Sequence, residues 1–470
     1  MQCIEDVIVG FARAKNGLKW DRIPLEKAKC RIGLQCHAAS TLPFFFLRTL
    51  CFSLRIQTHS PMGSIMETSG PHAVSPIHTK GRYFWTGSQR FIIRGVVYRL
   101  HGCEPSDPLV DERLDDLQRD ITLFKELGLN TLFIYHIDSS RNHNSAMKLL
   151  AEAGIYVLIS LPTSSCRSDD AGRTTTFRPY NSQLLQDCFA TIDCMSQYPN
   201  TLGLIVANGA LSTIYSTAIA PMISTVIRDI KRYMATAGEI AGQRQLPIGY
   251  SASRSRLILK TTFDYFTAGR PDETVDFFCY ANFNWCGQST MHISGYNEEL
   301  KTFANAHIPI FFSQYGCNLG TLGQRIFQET SAIYSPAMTH VFSGGIAYEF
   351  YDSPDITSGH WGYGLVKEEA AIVGRGLTKL PDFHSLKERL RDCKDLSFQE
   401  VMEDETKPDW TNKDIPPLSS HWKAGHAMPY SMADWNEVKR NLEEKVWMDV
   451  GELTATDLKL GQHQPNSIRV

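Results

Sequence analysis

Thr201-Leu-Gly-Leu-Ile-Val-Ala-Asn208-Gly209 and Ile308-Pro-Ile-Phe-Phe-Ser-Gln314-Tyr-Gly-Cys317 are apolar runs that each stop at a polar residue. A short, near-continuous apolar run bounded by turn residues is the mark of a strand buried on both faces of a parallel sheet. Six more such runs span residues 91–98, 130–137, 156–161, 246–251, 275–283 and 344–350. Taken with the first two, their starts lie 26 to 45 residues apart, the spacing of strand–helix units. The segments between them carry helical periodicity. Leu114, Leu117, Ile121, Phe124 and Leu127 recur every three or four positions and Gly128 follows. Ala146, Leu149 and Leu150 form a second apolar face that ends at Gly154, and Ile223, Val226, Ile227 and Ile230 share one side of a third. Eight α/β units point to a closed (β/α)8 TIM barrel, with a doubly wound open sheet as the runner-up.

Composition narrows the function classes. The chain has 470 residues, 43% hydrophobic and 11% aromatic, enough for one barrel with extensions. A net charge of −3 gives no electrostatic footprint for nucleic acid or an anionic membrane surface. The most apolar stretch, Ser40-Thr-Leu-Pro-Phe-Phe-Phe-Leu-Arg-Thr-Leu-Cys-Phe-Ser-Leu54, is shorter than the roughly 18–20 residues of a span and is broken by Arg48. Cys3-Ile-Glu-Asp does not begin a secretory signal, although Lys27, Lys29 and Arg31 before the Phe run could mark a displaced one. The C-terminus, Gly461-Gln-His-Gln-Pro-Asn-Ser-Ile-Arg-Val470, has no apolar tail for a lipid anchor. The expectation is an intracellular protein or an incomplete gene reading, with no transmembrane span. Twelve cysteines without a CxxC pair or a Cys/His ligand spacing predict neither a metal site nor a cofactor.

The expected organisation is an irregular extension over residues 1–80, a barrel over 81–390 and a C-terminal extension over 391–470. The last carries a short helix near residues 432–447, with Trp435, Val438, Leu442 and Val446 on one face.

Barrel chemistry sits at the C-terminal strand ends. Those ends read Val97-Tyr98-Arg99, Tyr135-His136-Ile137-Asp138, Ile159-Ser160-Leu161, Asn208-Gly209, Tyr250-Ser251, Asn282-Phe283-Asn284-Trp285, Ser313-Gln314-Tyr315 and Tyr348-Glu349-Phe350. Aromatic faces suit sugar rings, and Asn and Gln offer donors and acceptors to hydroxyls. Aromatics at strand ends also serve simply as core.

Residues of about 83–390 resemble the fungal β-1,3-glucanosyltransferases of glycoside hydrolase family 72. The resemblance rests on Phe91-Ile-Ile-Arg-Gly-Val-Val-Tyr98, Asn130-Thr-Leu-Phe-Ile-Tyr-His-Ile-Asp138, Asn142-His143 and Leu246-Pro-Ile-Gly-Tyr-Ser-Ala252. Trp285-Cys-Gly287, Tyr315-Gly-Cys-Asn318, Tyr348-Glu349 and Tyr363-Gly-Leu-Val366 extend it in order. It implies a retaining mechanism on β-1,3-glucan, with an acid/base and a nucleophilic carboxylate about 5–5.5 Å apart. The resemblance places the acid/base at position 209 and the nucleophile at 314, where this chain has Gly209 and Gln314. Glycine cannot supply general acid–base catalysis, worth roughly 10²–10⁴-fold. Neutral Gln314 cannot form the glycosyl ester readily or stabilise positive charge.

Further departures from the family surround the site at Arg99, Ser160, Phe283 and Asn284. What the resemblance leaves is a sugar platform of Tyr98, Tyr135, Asn208, Trp285, Tyr315, Tyr348 and Tyr363. Of the family's disulfides it implies only Cys286–Cys317. Ala146 and Ala268 stand where other cysteines would, so Cys393 is left without a partner. The family works at the fungal cell surface, lipid-anchored or in the wall, a setting for which this chain lacks clear signals. The expected function is a catalytically inactive, glucan-binding relative. The alternatives are an active transglycosylase using Asp138 or Glu349 as a recruited carboxylate, and a degenerate product with no ligand.

Overall fold

Eight parallel strands close into a barrel in the computed structural model. They are β4 (Ile93–Val97), β5 (Thr131–Ile134), β6 (Tyr156–Ser160), β9 (Thr201–Asn208), β10 (Ile248–Ala252), β11 (Phe277–Ala281), β12 (Ile310–Tyr315) and β13 (Gly344–Ala347). The ring shuts where β13 pairs with β4, Ile346 opposite Gly95, and the antiparallel pair β7 (Ser164–Asp169) and β8 (Gly172–Phe177) comes between β6 and β9 in the chain. The expected (β/α)8 barrel is therefore the fold, and each of the eight apolar runs supplies one strand. The structure describes residues 74–100, 106–169, 172–319, 324–352, 362–368, 376–393 and 414–460, with side chains except at 165–169, 172–175 and 448–460. All of these belong to one unit, Ser69–Val470. The expectations for residues 1–73, including the Phe-rich stretch, and for 461–470 lie outside the described residues.

Period-two alternation decides which side chains fill the barrel and which meet the helices. Ile93 and Val97, Phe133, Leu158, Leu202, Phe277, Cys279, Phe311 and Ile346 pack in the interior. Val96, Leu132, Ile134, Val157, Ile159, Leu204, Phe312 and Ala347 pack outward against the helices. Gly249 is required by this filling, because a Cβ there would lie 2.1 Å from the Phe277 ring.

The helical layer follows its sequence signals. Helix α1 (Leu114–Leu127) buries Leu117, Ile121, Phe124 and Leu127, and Gly128 ends it in the left-handed region at φ 71°. Helix α2 (Asn144–Glu152) lies between β5 and β6, and α3 (Ser182–Ser196), started by the Asn181 side chain accepting from Leu184 N, lies between β6 and β9. Helix α4 (Ala220–Ala241) buries Ile223, Val226, Ile227 and Ile230, as the spacing predicts.

One boundary differs from expectation. Residues 77–80 are not irregular: β1 (Ile77–Lys80), β2 (Tyr83–Thr86) and β3 (Gln89–Phe91) form an antiparallel sheet. Its Phe84 stacks edge-on to Phe277 at 5.5 Å and plugs the barrel interior. Four residues are too short for a period to register in the sequence. The C-terminal extension packs on the barrel. Trp422 is fully buried, 5.1 Å from the Tyr265 ring, and the Lys423 amide donates to Thr217 Oγ1. The final helix, Trp435–Leu460, is longer than expected and lays Trp435 against Phe189 and Arg232, with Leu442 buried on the same face.

Candidate functional site

At the C-terminal rim the interior parity of each strand continues by one residue, and those residues line the site. Arg99 follows Val97, Tyr135 follows Phe133, and Tyr348 follows Ile346. Register shifts between Gly249 and Ser251, Tyr280 and Ala281, and Phe312 and Tyr315 crowd the same ends of β10, β11 and β12. Such bulges re-aim side chains. Gln314 sits inside one of them.

The floor is a neutral hydrogen-bonded network. Gln314 Nε2 donates to Tyr135 Oη at 2.6 Å, linking β12 to β5. Tyr135 also engages the Asn208 side chain, whose Oδ1 lies 2.8 Å from Ser251 Oγ; that hydroxyl is 3.0 Å from Ser313 Oγ. Burial, then the neighbouring Tyr348, push the Tyr135 phenol well above its ordinary pKa, so it stays neutral. Gly209 donates its N–H to Ser251 O and stands at φ 69°, with open space where a side chain would begin.

One wall is cationic but compensated. Arg99 donates to both oxygens of Glu349 and to Tyr348 Oη, and its guanidinium lies 5.9 and 5.8 Å from the Tyr135 and Tyr348 ring centres. Burial works against the Arg99 charge, and the Glu349 carboxylate outweighs it, raising the arginine above its usual pKa. The other wall is aromatic: Phe283, Tyr348 and Tyr363 meet pairwise at 6.0, 5.8 and 5.2 Å.

Arg325 holds this wall, and no sequence motif pointed to it. It is 2% exposed, paired with Asp382, and donates to the carbonyls of both Tyr348 and Tyr363. Its partners are far away in sequence, so only the fold brings them to it. The Cys286–Cys317 disulfide, with Cα atoms 5.0 Å apart, staples the ends of β11 and β12 beside the site. Cys393 is a free thiol donating to Arg389 O, while Ala146 and Ala268 are buried.

Three members of the expected platform are not available to a ligand. Tyr98 has the outward parity of Val96; it is 1% exposed and its hydroxyl donates to Asp120 on α1. Tyr315 is turned outward by the β12 bulge, is 1% exposed and accepts a hydrogen bond from Thr330. Trp285 is 5% exposed and packs on Tyr296 at 5.2 Å. Tyr135, Asn208, Tyr348 and Tyr363 are left as the open, partly buried members.

Neither spare carboxylate is free. Glu349 is 2% exposed and bound by Arg99. Asp138 accepts from the N–H and hydroxyl of Ser140, and those bonds hold its pKa below the usual carboxylate range. Among the described residues no group of His, Cys, Asp and Glu could hold a metal ion, and no helix is long and apolar enough to cross a membrane.

The sequence profile of glycoside hydrolase family 72, described as Glucanosyltransferase, matches residues 67–394. The chain belongs to that family. The 1,3-beta-glucanosyltransferase gel1 of Aspergillus fumigatus is 38% identical over 315 residues, 67% of this chain and 65% of its own length. The 1,3-beta-glucanosyltransferase GAS5 of Saccharomyces cerevisiae is 36% identical over 332 residues, 69% of this chain and 64% of its own length. This glucanosyltransferase homologue thus spans slightly under two thirds of those relatives. Among solved structures, ScGas2 bound to a small compound superposes with a TM-score of 0.65 at 30% identity, covering 77% of this chain and 78% of that one. A Saccharomyces cerevisiae Gas2p variant, solved with laminaritetraose and laminaripentaose, gives 0.65 at 29% identity, covering 77% and 76%.

Proposed function

We propose that this family 72 member binds β-1,3-glucan oligosaccharides without transferring them. One observation carries the reading: the two strand ends that the family resemblance assigns to its carboxylates hold Gly209 and a Gln314 amide hydrogen-bonded to Tyr135. Retaining transfer needs a nucleophile to take the glycosyl group and an acid to protonate the departing oxygen. A glycine and a carboxamide do neither. The chemistry left at the rim suits binding instead: amides and hydroxyls for sugar hydroxyls, and Tyr348, Tyr363 and Phe283 as an apolar wall.

Glu349 and Asp138 do not fill the gap. The first is neutralised by Arg99, and the second is an ionised acceptor for its own loop, a poor proton donor. The polymer in question is that of the fungal cell wall, the setting of the family.

The test is incubation of the full-length protein with reduced laminari-oligosaccharides, with mass analysis for longer and shorter chains and calorimetry for binding. Binding without new chain lengths, and transfer gained by Gly209→Glu with Gln314→Glu, is the expected result. Transfer by the unaltered protein would overturn the proposal and redirect attention to Asp138 and Glu349. No binding at all would favour a product that has lost its ligand.

A further inference from the structure

Away from the barrel mouth, a thiol, an imidazole and a carboxylate stand in line. Cys194 Sγ on α3 lies 3.5 Å from Nδ1 of His143, just before α2. The other ring nitrogen, Nε2, lies 2.8 Å from Asp107 Oδ2. Asp107 is itself immobilised, its two oxygens accepting from the backbone N–H groups of Leu109 and Asp138 at 2.8 and 2.7 Å. The His143 side chain is wholly buried and Asp107 nearly so, whereas Cys194 is only half-buried.

We propose that Cys194 is a reactive thiol, a site of mixed-disulfide formation with small disulfides, activated by the His143–Asp107 pair. An imidazolium fixed on one side by a carboxylate offers its second N–H to the sulfur and favours thiolate, the nucleophilic form. Burial by itself would lower the His143 pKa; the bonds to Asp107 and Cys194 outweigh it and lift it to about 10. Tyr198 is a further ionisable neighbour of Cys194, and burial, Cys194 and Asp111 keep its phenol neutral, pushed up to about 12.

In the step itself the thiol proton resides on His143 Nδ1. Sγ attacks one sulfur of the disulfide, a new S–S bond forms to Cys194, and the other half leaves as a thiolate. The incoming disulfide is the oxidant and no other reagent is needed. Of the other free thiols among the described residues, Cys188 and Cys279 are buried and pushed up to about 12 and beyond the usual range. Cys393 is half-buried like Cys194 but lacks an imidazole, and burial raises it.

That contrast provides the control. The full-length protein is exposed to oxidised glutathione, quenched in acid and mapped by mass spectrometry, giving a rate at each cysteine. Cys194 is expected to react on the order of 10-fold faster than Cys393 near neutral pH. His143→Gln should bring Cys194 down to the Cys393 rate. Equal rates at Cys194 and Cys393 in the unaltered protein would overturn the proposal, whether or not His143→Gln folds.

Discussion

Arg99, beyond the end of β4, grips both oxygens of Glu349, beyond the end of the neighbouring β13, so that the most buried carboxylate of the barrel mouth is held by a guanidinium. Removing one partner strands the other. Arg99→Gln should destabilise the fold by about 2–4 kcal/mol, the lower end reflecting the partial exposure of Arg99. Adding Glu349→Gln should recover most of that loss, because two neutral amides leave no unpaired charge. Urea titration of the two single variants and the double variant tests this; strictly additive losses would dismiss the pair.

The backbone at Gly209 is left-handed, and nothing lies within 4 Å of a Cβ placed there. Gly209→Glu should therefore cost about 1–2 kcal/mol through φ alone, without a clash. Gly209→Asn should cost less, since asparagine tolerates that region. Chemical denaturation that ranks the two variants the other way would contradict the conformational account. The same strain will accompany any attempt to install a carboxylate at this strand end.

Glu329, on the short helix Gln328–Ile333, is 3% exposed, and burial lifts its pKa to about 7 against the pull of Arg325 and Arg389. A carboxyl raised in this way adds stability below its unfolded value, near pH 4.5, and that stability drains away as pH climbs through about 7. Glu329→Gln does not titrate. The variant should melt close to the parent at pH 4.5 and several degrees above it at pH 8. A difference that is constant across this range would show that Glu329 is not the titrating group.

 Trp422 belongs to the C-terminal extension that follows the eight barrel strands, yet its ring is buried against Tyr265. Trp422→Ala should cost about 3–5 kcal/mol, the loss of a large aromatic from a close-packed site. A loss below 1 kcal/mol would return the C-terminal segment to the status of a loose extension. Thermal melting with near-ultraviolet circular dichroism measures it.

Much of this protein was legible before any coordinates. Eight apolar runs at strand–helix spacing specify a parallel barrel, because a strand covered on both faces must be apolar throughout. Helix α1 was readable to the residue, from its periodicity and from Gly128, since both depend on neighbours within four positions. Gly209 and Gln314 are likewise plain in the text, as is the pair Cys286 and Cys317 once the family register is known.

Tertiary structure decided what faces the site. Tyr98 and Arg99 are adjacent in sequence, yet one enters the helical layer and the other the barrel mouth, because side chains alternate across a strand. The bulge in β12 then breaks that alternation and sends Tyr315 outward, which no residue count reveals. Arg325 with Tyr348 and Tyr363, Arg99 with Glu349, and Cys194 with His143 and Asp107 are likewise products of closure. Local patterning records only neighbours along the chain; which distant polar groups satisfy one another is settled when the barrel shuts and each buried group must find a partner.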